Sequence, residues 1–159
     1  MITYPVIAGL VLLLMWPGQQ ISNSSPASER EAIEKSILEI SDSMTRAGEA
    51  RDIDRLFTFI LDNDKGSIIQ NGRILLTRSE ALAITKQNTS SISSVQYRWK
   101  QRHVTVISPM VALLIAEGES SVTTKQGQSF TAPFAQTIVF VLTDGKWKAI
   151  HAHQSSPRN

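Results

Sequence analysis

The chain divides near residue 95 into a half whose apolar residues recur at helical spacing and a half in which they alternate. Ser28-Glu29-Arg30-Glu31 has the S-x-x-E form of a capping box, in which hydroxyl and carboxylate satisfy helix N–H groups reciprocally. Behind it Ile33, Ile37, Ile40, Met44 and Ala47 fall on one helical face, and Gly48 stands near the expected end. Asp52 is suited to N-cap a short second helix carrying Ile53, Leu56, Phe57 and Ile60. Asp62-Asn63-Asp64-Lys65-Gly66 breaks that pattern; it lacks calcium-loop spacing and reads as a solvated turn. Asn71-Gly72 predicts a two-residue hairpin turn, because both positions favour positive φ. Thr77-Arg78-Ser79-Glu80 is a second capping box, opening a helix with Ala81, Leu82 and Ile84 that ends between Gln87 and Ser91.

Beyond this the pattern predicts an antiparallel meander of four long strands, 95–107, 110–122, 130–142 and 146–154. The turns imply a register. Ser108-Pro109 as a two-residue turn pairs Ile107 with Met110. Lys125-Gln126-Gly127, with Gly127 left-handed, pairs Thr124 with Gln128. Asp144-Gly145 pairs Thr143 with Lys146. Carried along the strands, this register places Tyr97, Trp99, Gln101 and His103 on one face with Phe134, Gln136, His151 and His153, around the small residues Ala116 and Gly118. An apolar wall with a few polar groups at one end is the form of a small-molecule site. The other face pairs Arg98 with Glu119 and Lys100 with Glu117, and carries Val104, Val106, Val111, Leu113, Ile115 and Val139. So much aliphatic surface calls for a cover, helices on one side and a second copy of the chain on the other.

Composition narrows the class. At 159 residues, 42% apolar and 19% charged, the chain has the size and make-up of one folded domain. The absence of cysteine excludes disulfides, thiolate zinc sites and a cysteine nucleophile. No charged side chain occurs from Met1 to Ser28, and Val6–Trp16 is nearly all apolar. An apolar run of that length fits a secretory signal peptide better than a membrane span, although residues 2–21 could instead be retained as an anchor. The expected organisation is therefore a leader over 1–27, a domain over 28–155 and a tail over 156–159, in a chain exported to the periplasm or cell exterior. The net charge is +2, but residues 1–80 hold 11 acids and 8 Lys/Arg whereas 81–159 hold 3 and 8. Arg98, Lys100, Arg102, Lys146 and Lys148 account for most of that excess. They lie at strand positions without the interleaved aromatics of a nucleic-acid groove, so no nucleic-acid partner is expected.

The order of capped helix, short helix, Asn-Gly hairpin, helix and long meander resembles the nuclear transport factor 2-like superfamily, and within it the SnoaL-like branch of bacterial exported proteins. The likeness rests on Asp52-Ile53-Asp54-Arg55-Leu56, on Asn71-Gly72-Arg73 followed by Thr77–Leu82, and above all on the ending Asp144–Ser155, in which Trp147, His151, His153 and Ser155 are spaced W-x-x-x-H-x-H-x-S. It implies an α+β, cone-shaped fold: N-terminal helices packed on a curved, mainly antiparallel sheet. That superfamily hosts isomerases, dehydratases, hydrolases, cyclases and binding modules, so the fold does not select an activity. Its isomerase members use a carboxylate base with tyrosine and protonated-acid donors. Here the first helix has no tyrosine, and Glu117 and Glu119 are expected to be paired.

The function expected is binding of a small apolar or amphipathic molecule between sheet and helices by Tyr97, Trp99, His103, Phe134 and Gln136, in a homodimer formed through the sheet. The alternatives are an isomerase, dehydratase or hydrolase using His151 or His153 in proton transfer, and a protein-interaction module. A metal site is not expected: histidines in one row across four strands stand ~14 Å apart before curvature, against the ~2 Å a metal–nitrogen bond needs. No phosphate-loop, dinucleotide or nucleophile-elbow motif occurs and no cofactor is implied.

Overall fold

The computed structural model describes residues 25–62, 68–70 and 72–157. The expected leader and most of the turn at 62–66 lie outside them. Helix α1 (Pro26–Glu49) starts earlier than the Ser28 capping box predicts. Ser25 is the N-cap, its hydroxyl accepting from the Ser28 N–H at 3.2 Å, and Pro26 takes the first turn, where a missing N–H costs nothing. Helix α2 (Ile53–Phe57) is capped by Asp52, which accepts from the Arg55 N–H at 3.0 Å. Strands β1 (Ile68–Gln70) and β2 (Arg73–Leu75) pair antiparallel with Gln70 opposite Arg73, the register expected of the hairpin; Asn71 lies outside the described residues. Helix α3 (Arg78–Thr89) has Thr77 as N-cap, and Glu80 reaches back to the Leu76 N–H at 3.1 Å.

The meander follows as β3 (Ile92–Ser108), β4 (Val111–Thr124), β5 (Ser129–Thr143) and β6 (Lys146–Ser155). The six strands make one sheet in the order β2-β1-β6-β5-β4-β3, antiparallel except where β1 runs parallel to β6. That parallel contact joins the two halves of the chain and has no signature in the strand pattern. Among the described residues no helix is long and apolar enough to cross a membrane.

Two of the three turns set the register as expected. Thr123 pairs with Ser129 and the whole β4–β5 ladder follows without a slip, with Gly127 at φ 82°. Thr143 pairs with Lys146, and Asp144 and Gly145 both take positive φ. The first turn is shifted by one: Pro109-Met110 occupies it, and Ser108 pairs with Val111. Irregularities then change which residues share a face. Between Trp99 and Gln101 the β3–β4 register slips by one at Lys100, so that Arg102, Val104 and Val106, not Gln101 and His103, continue the face of Tyr97 and Trp99. Between Ala149 and His151 the β5–β6 register slips at Ile150, so that Ala152 and Gln154 continue the face of Trp147 and Ala149. Beside this second slip the chain leaving α2 runs along β6. The Ala149 N–H donates to the Phe59 carbonyl at 2.9 Å, and the Leu61 N–H to the Ala149 carbonyl at 2.8 Å.

The first face is concave and faces the helices. Its core is Ile37 of α1, Phe57 of α2, Leu114 of β4, and Ile138 and Phe140 of β5, all buried. Arg98 pairs with Glu119 across the strands on the convex face as expected. Lys100 does not meet Glu117; it joins Arg98 on Glu119, at 3.1 Å, because the slip leaves Gln101 opposite Glu117.

Candidate functional site

Successive cross-strand rows line the concave face from the closed core toward the open end of the cone. Val104, Leu114, Ile138 and Ala152 form an aliphatic row. The next row crosses the whole sheet: Arg102, Ala116, Gln136, Gln154, Gln70 and Arg73, one from each strand. Beyond it lies Trp99, Gly118 and Phe134, followed by Tyr97, Ser120 and Ala132.

The aromatic residues of these rows pack on one another. Trp99 meets Phe134 edge to face with ring centres 5.3 Å apart, Tyr97 meets Phe134 likewise at 5.9 Å, and Tyr97 lies nearly parallel to Trp99 at 6.4 Å. Gly118 is the floor beneath Trp99. A Cβ there would stand 2.6 Å from the Arg98 carbonyl oxygen, so the close approach of β3 and β4 next to the Lys100 slip depends on a residue without a side chain. The Arg102 guanidinium lies 5.8 Å from the centre of the Trp99 ring. It is held by α1, donating to Asp42 Oδ1 at 2.5 Å and to the buried Ser41 hydroxyl at 3.4 Å. The indole Nε1 of Trp99 is buried and has no hydrogen-bond partner among the described residues, an uncommon condition for a buried donor.

Tyr97 is positioned by the end of α1. Its ring rests against Gly48, where a Cβ would come within 3.3 Å, and its backbone N–H donates to Glu49 Oε1 at 2.9 Å. Burial, and then the neighbouring Glu49 carboxylate, push the Tyr97 phenol above its ordinary value. The folded chain therefore holds this proton to higher pH than the unfolded chain. The associated stability is complete below the unfolded value of ~10 and is lost as pH rises through the folded one. In an alkaline titration followed by tyrosinate absorbance, Tyr97→Phe is expected to remove a step lying above the ordinary tyrosine range; a Tyr97 step at the ordinary value would contradict this placement.

Two openings flank the rows. A groove of about 830 Å³ lies at the free edge of β3, with Glu49, Val95, Tyr97, Arg98 and Glu119 among its lining. A cavity of about 320 Å³ between the β1–β2 hairpin and α3 is lined by Gln70, Arg73, Leu75, Ile84, Gln87 and Asn88.

Of the residues expected at the site, Tyr97, Trp99, Phe134 and Gln136 are on the concave face, the first three in mutual contact. His103, His151 and His153 are not. The slips at Lys100 and Ile150 carry all three to the convex face, where His103, Ile115, Thr137 and His153 share a row and His103 approaches Gln101 at 3.3 Å. No group of three His, Asp or Glu among the described residues is placed to hold a metal ion. The concave residues missed from sequence are Arg102, Gln154, Gln70 and Arg73. A signal for the first two exists: apolar positions run odd through Tyr97 and Trp99 and then even through Val104 and Val106, and the same change follows Trp147 and Ala149. A change of parity inside one strand marks a bulge.

No curated protein matches the chain. Solved structures of the same fold are numerous. A protein of the NTF2-like family from Streptomyces avermitilis is 18% identical, covering 82% of this chain and 99% of its own, with a TM-score of 0.72. An NTF2-like superfamily protein from Salmonella enterica is 13% identical, covering 82% and 94%, with a TM-score of 0.74. A hexachlorocyclohexane dehydrochlorinase, LinA type 2, is 14% identical, covering 82% and 88%, with a TM-score of 0.70. At such identities these neighbours establish the nuclear transport factor 2-like cone and not an activity. A SnoaL-like domain profile matches residues 37–159, most of the chain, and the chain belongs to the SnoaL-like domain family.

Proposed function

We propose that this domain binds a small amphipathic molecule on the concave face, its apolar body against the Tyr97–Trp99–Phe134 row and a hydrogen-bond acceptor at the Trp99 indole. The observation that carries this reading is the buried, unpartnered Trp99 Nε1. A donor left unsatisfied beside an arginine and a floor of Ala116 and Gly118 is a place where a ligand oxygen gains a bond that the protein itself does not make. Binding is favoured over proton transfer. The histidines that would serve as bases lie on the other face, and in the row beside Trp99 the carboxylate at hand, Asp42, is committed to Arg102.

Native mass spectrometry of gently purified protein should detect a co-purifying small molecule. Trp99→Phe, which keeps an aromatic ring of smaller size and removes the donor, should lower its retention by at least about three- to tenfold, the worth of one hydrogen bond. Undiminished retention by Trp99→Phe would place the ligand elsewhere.

The same reading includes a homodimer through the convex face. There Ile115 is 48% exposed alongside half-buried Val111, Leu113 and Val139, and at the β3–β4 turn beside them Ile107 and Met110 are 60% and 58% exposed. A clean monomer in light scattering at high protein concentration would remove the dimer.

A further inference from the structure

We propose that the polar row across the concave face is a carbohydrate-binding surface: the carboxamides of Gln136, Gln154 and Gln70, between Arg102 and Arg73, bind the vicinal hydroxyls of a sugar ring. This rests on the reading that a ligand occupies the concave face, and it names the polar part of that ligand.

The row is continuous by backbone pairing. Arg102 is opposite Ala116, Ala116 opposite Gln136, Gln136 opposite Gln154, Gln154 opposite Gln70, and Gln70 opposite Arg73. Ala116, small and buried, separates Arg102 from Gln136 in the row. The three glutamines come from neighbouring strands, ~4.8 Å apart. All three are half-buried, and among the described residues none of their carboxamides has a hydrogen-bond partner. Their carboxamides are open to solvent on the face that elsewhere forms the core, and so are available to a ligand in place of water.

The donor and acceptor inventory selects the ligand class. Each carboxamide offers two N–H donors and an acceptor oxygen. A ketone or ether would use the donors and leave three acceptor oxygens empty. A carboxylate would do the same, and the charge of Arg102 is already met by Asp42. A hydroxyl both donates and accepts, so adjacent hydroxyls match adjacent carboxamides without a remainder. The bordering row, where Trp99 and Phe134 pack on one another, makes the adjoining wall apolar. At the β1 end the row opens into the 320 Å³ cavity, where α3 adds Gln87 and Asn88, two further carboxamides. That volume is within the range of small-molecule sites, ~300–1,000 Å³.

The test is a titration of the ¹⁵N-labelled full chain with p-nitrophenyl β-glucoside, β-galactoside, α-mannoside and β-N-acetylglucosaminide, following side-chain carboxamide and indole resonances. p-Nitrophenol serves as the aglycone control and an N-acetyl dipeptide amide as the peptide control. The expected result is saturable shifts of the Gln136 and Gln154 carboxamides with at least one glycoside, and a tenfold or greater loss of its affinity in the Gln136→Leu/Gln154→Leu variant. Affinity for p-nitrophenol should be unchanged in that variant, which also shows that it folds. Glycosides that move only what p-nitrophenol moves would overturn the sugar assignment and leave the aromatic site standing. Carboxamide shifts with the dipeptide amide and with no glycoside would overturn it in favour of a peptide. Failure of every probe to move the Trp99 indole would remove both readings.

Discussion

Phe140→Ala is expected to destabilise the fold by about 3–5 kcal/mol, the usual cost of emptying a buried phenylalanine site. Phe140 is fully buried in β5, and its cross-strand neighbours on the concave face are Ala112 and Ala149. Those methyl groups cannot extend into the space the ring leaves, so the cavity stays open and the cost falls toward the upper end. Single domains are stable by only ~5–15 kcal/mol, so a third or more of the total is at stake. Urea unfolding should show a lower midpoint with an unchanged slope, the mark of lost stability without a change in the surface exposed. A loss under ~1 kcal/mol would mean that α1 and α2 close over the gap, and that the core is far more plastic than the packing of Ile37, Phe57 and Leu114 implies.

Gly118→Ala ranks next, at about 1–3 kcal/mol, the range for forcing an extra methyl group into a packed site. The clash is with backbone, the Arg98 carbonyl oxygen at 2.6 Å and its carbon at 3.2 Å, so no side-chain rotation relieves it. The strands must separate where β3 bends. This variant should therefore also disturb the site: the indole resonance of Trp99, directly opposite Gly118, should shift more than that of Trp147 on β6. Equal shifts, or wild-type stability, would show that β3 and β4 do not need the close approach. Ala116→Gly is the useful contrast. It removes a small side chain from the next row without creating a clash, and it should cost less and leave Trp99 in place.

Local chemistry determined most of the architecture. The Asp52 and Thr77 caps, the pairing of Gln70 with Arg73, the Gly127 and Asp144-Gly145 turns, and the alternation of the long strands depend on interactions within a few residues, and each appears where the residues place it. The aromatic part of the site was legible in part for the same reason: Gly118 and Phe134 lie where the β4–β5 ladder runs without interruption from the Gly127 turn, whereas Tyr97 and Trp99 meet their expected partners because the slips at Ile107 and Lys100 undo the shift of the first turn. The tertiary structure decided the polar part. A sheet that wraps around α1 and α2 has to bend, and it bends at Lys100 and Ile150, where one extra residue on β3 and one on β6 let the ladder turn. Because side chains alternate with a period of two, each extra residue exchanges the faces of everything beyond it. His103, His151 and His153 leave the concave wall together, and Arg102 and Gln154 arrive in their places. Whether a parity change such as Trp99 to Val104 means a bulge, or merely a strand apolar on both faces, depends on what packs against it. Here those partners are Asp42 of α1 and the chain leaving α2, Phe59 and Leu61, more than forty residues away along the sequence. The same distance hid the parallel pairing of β1 with β6, which brings Gln70 and Arg73 into line with Gln154 and completes the row.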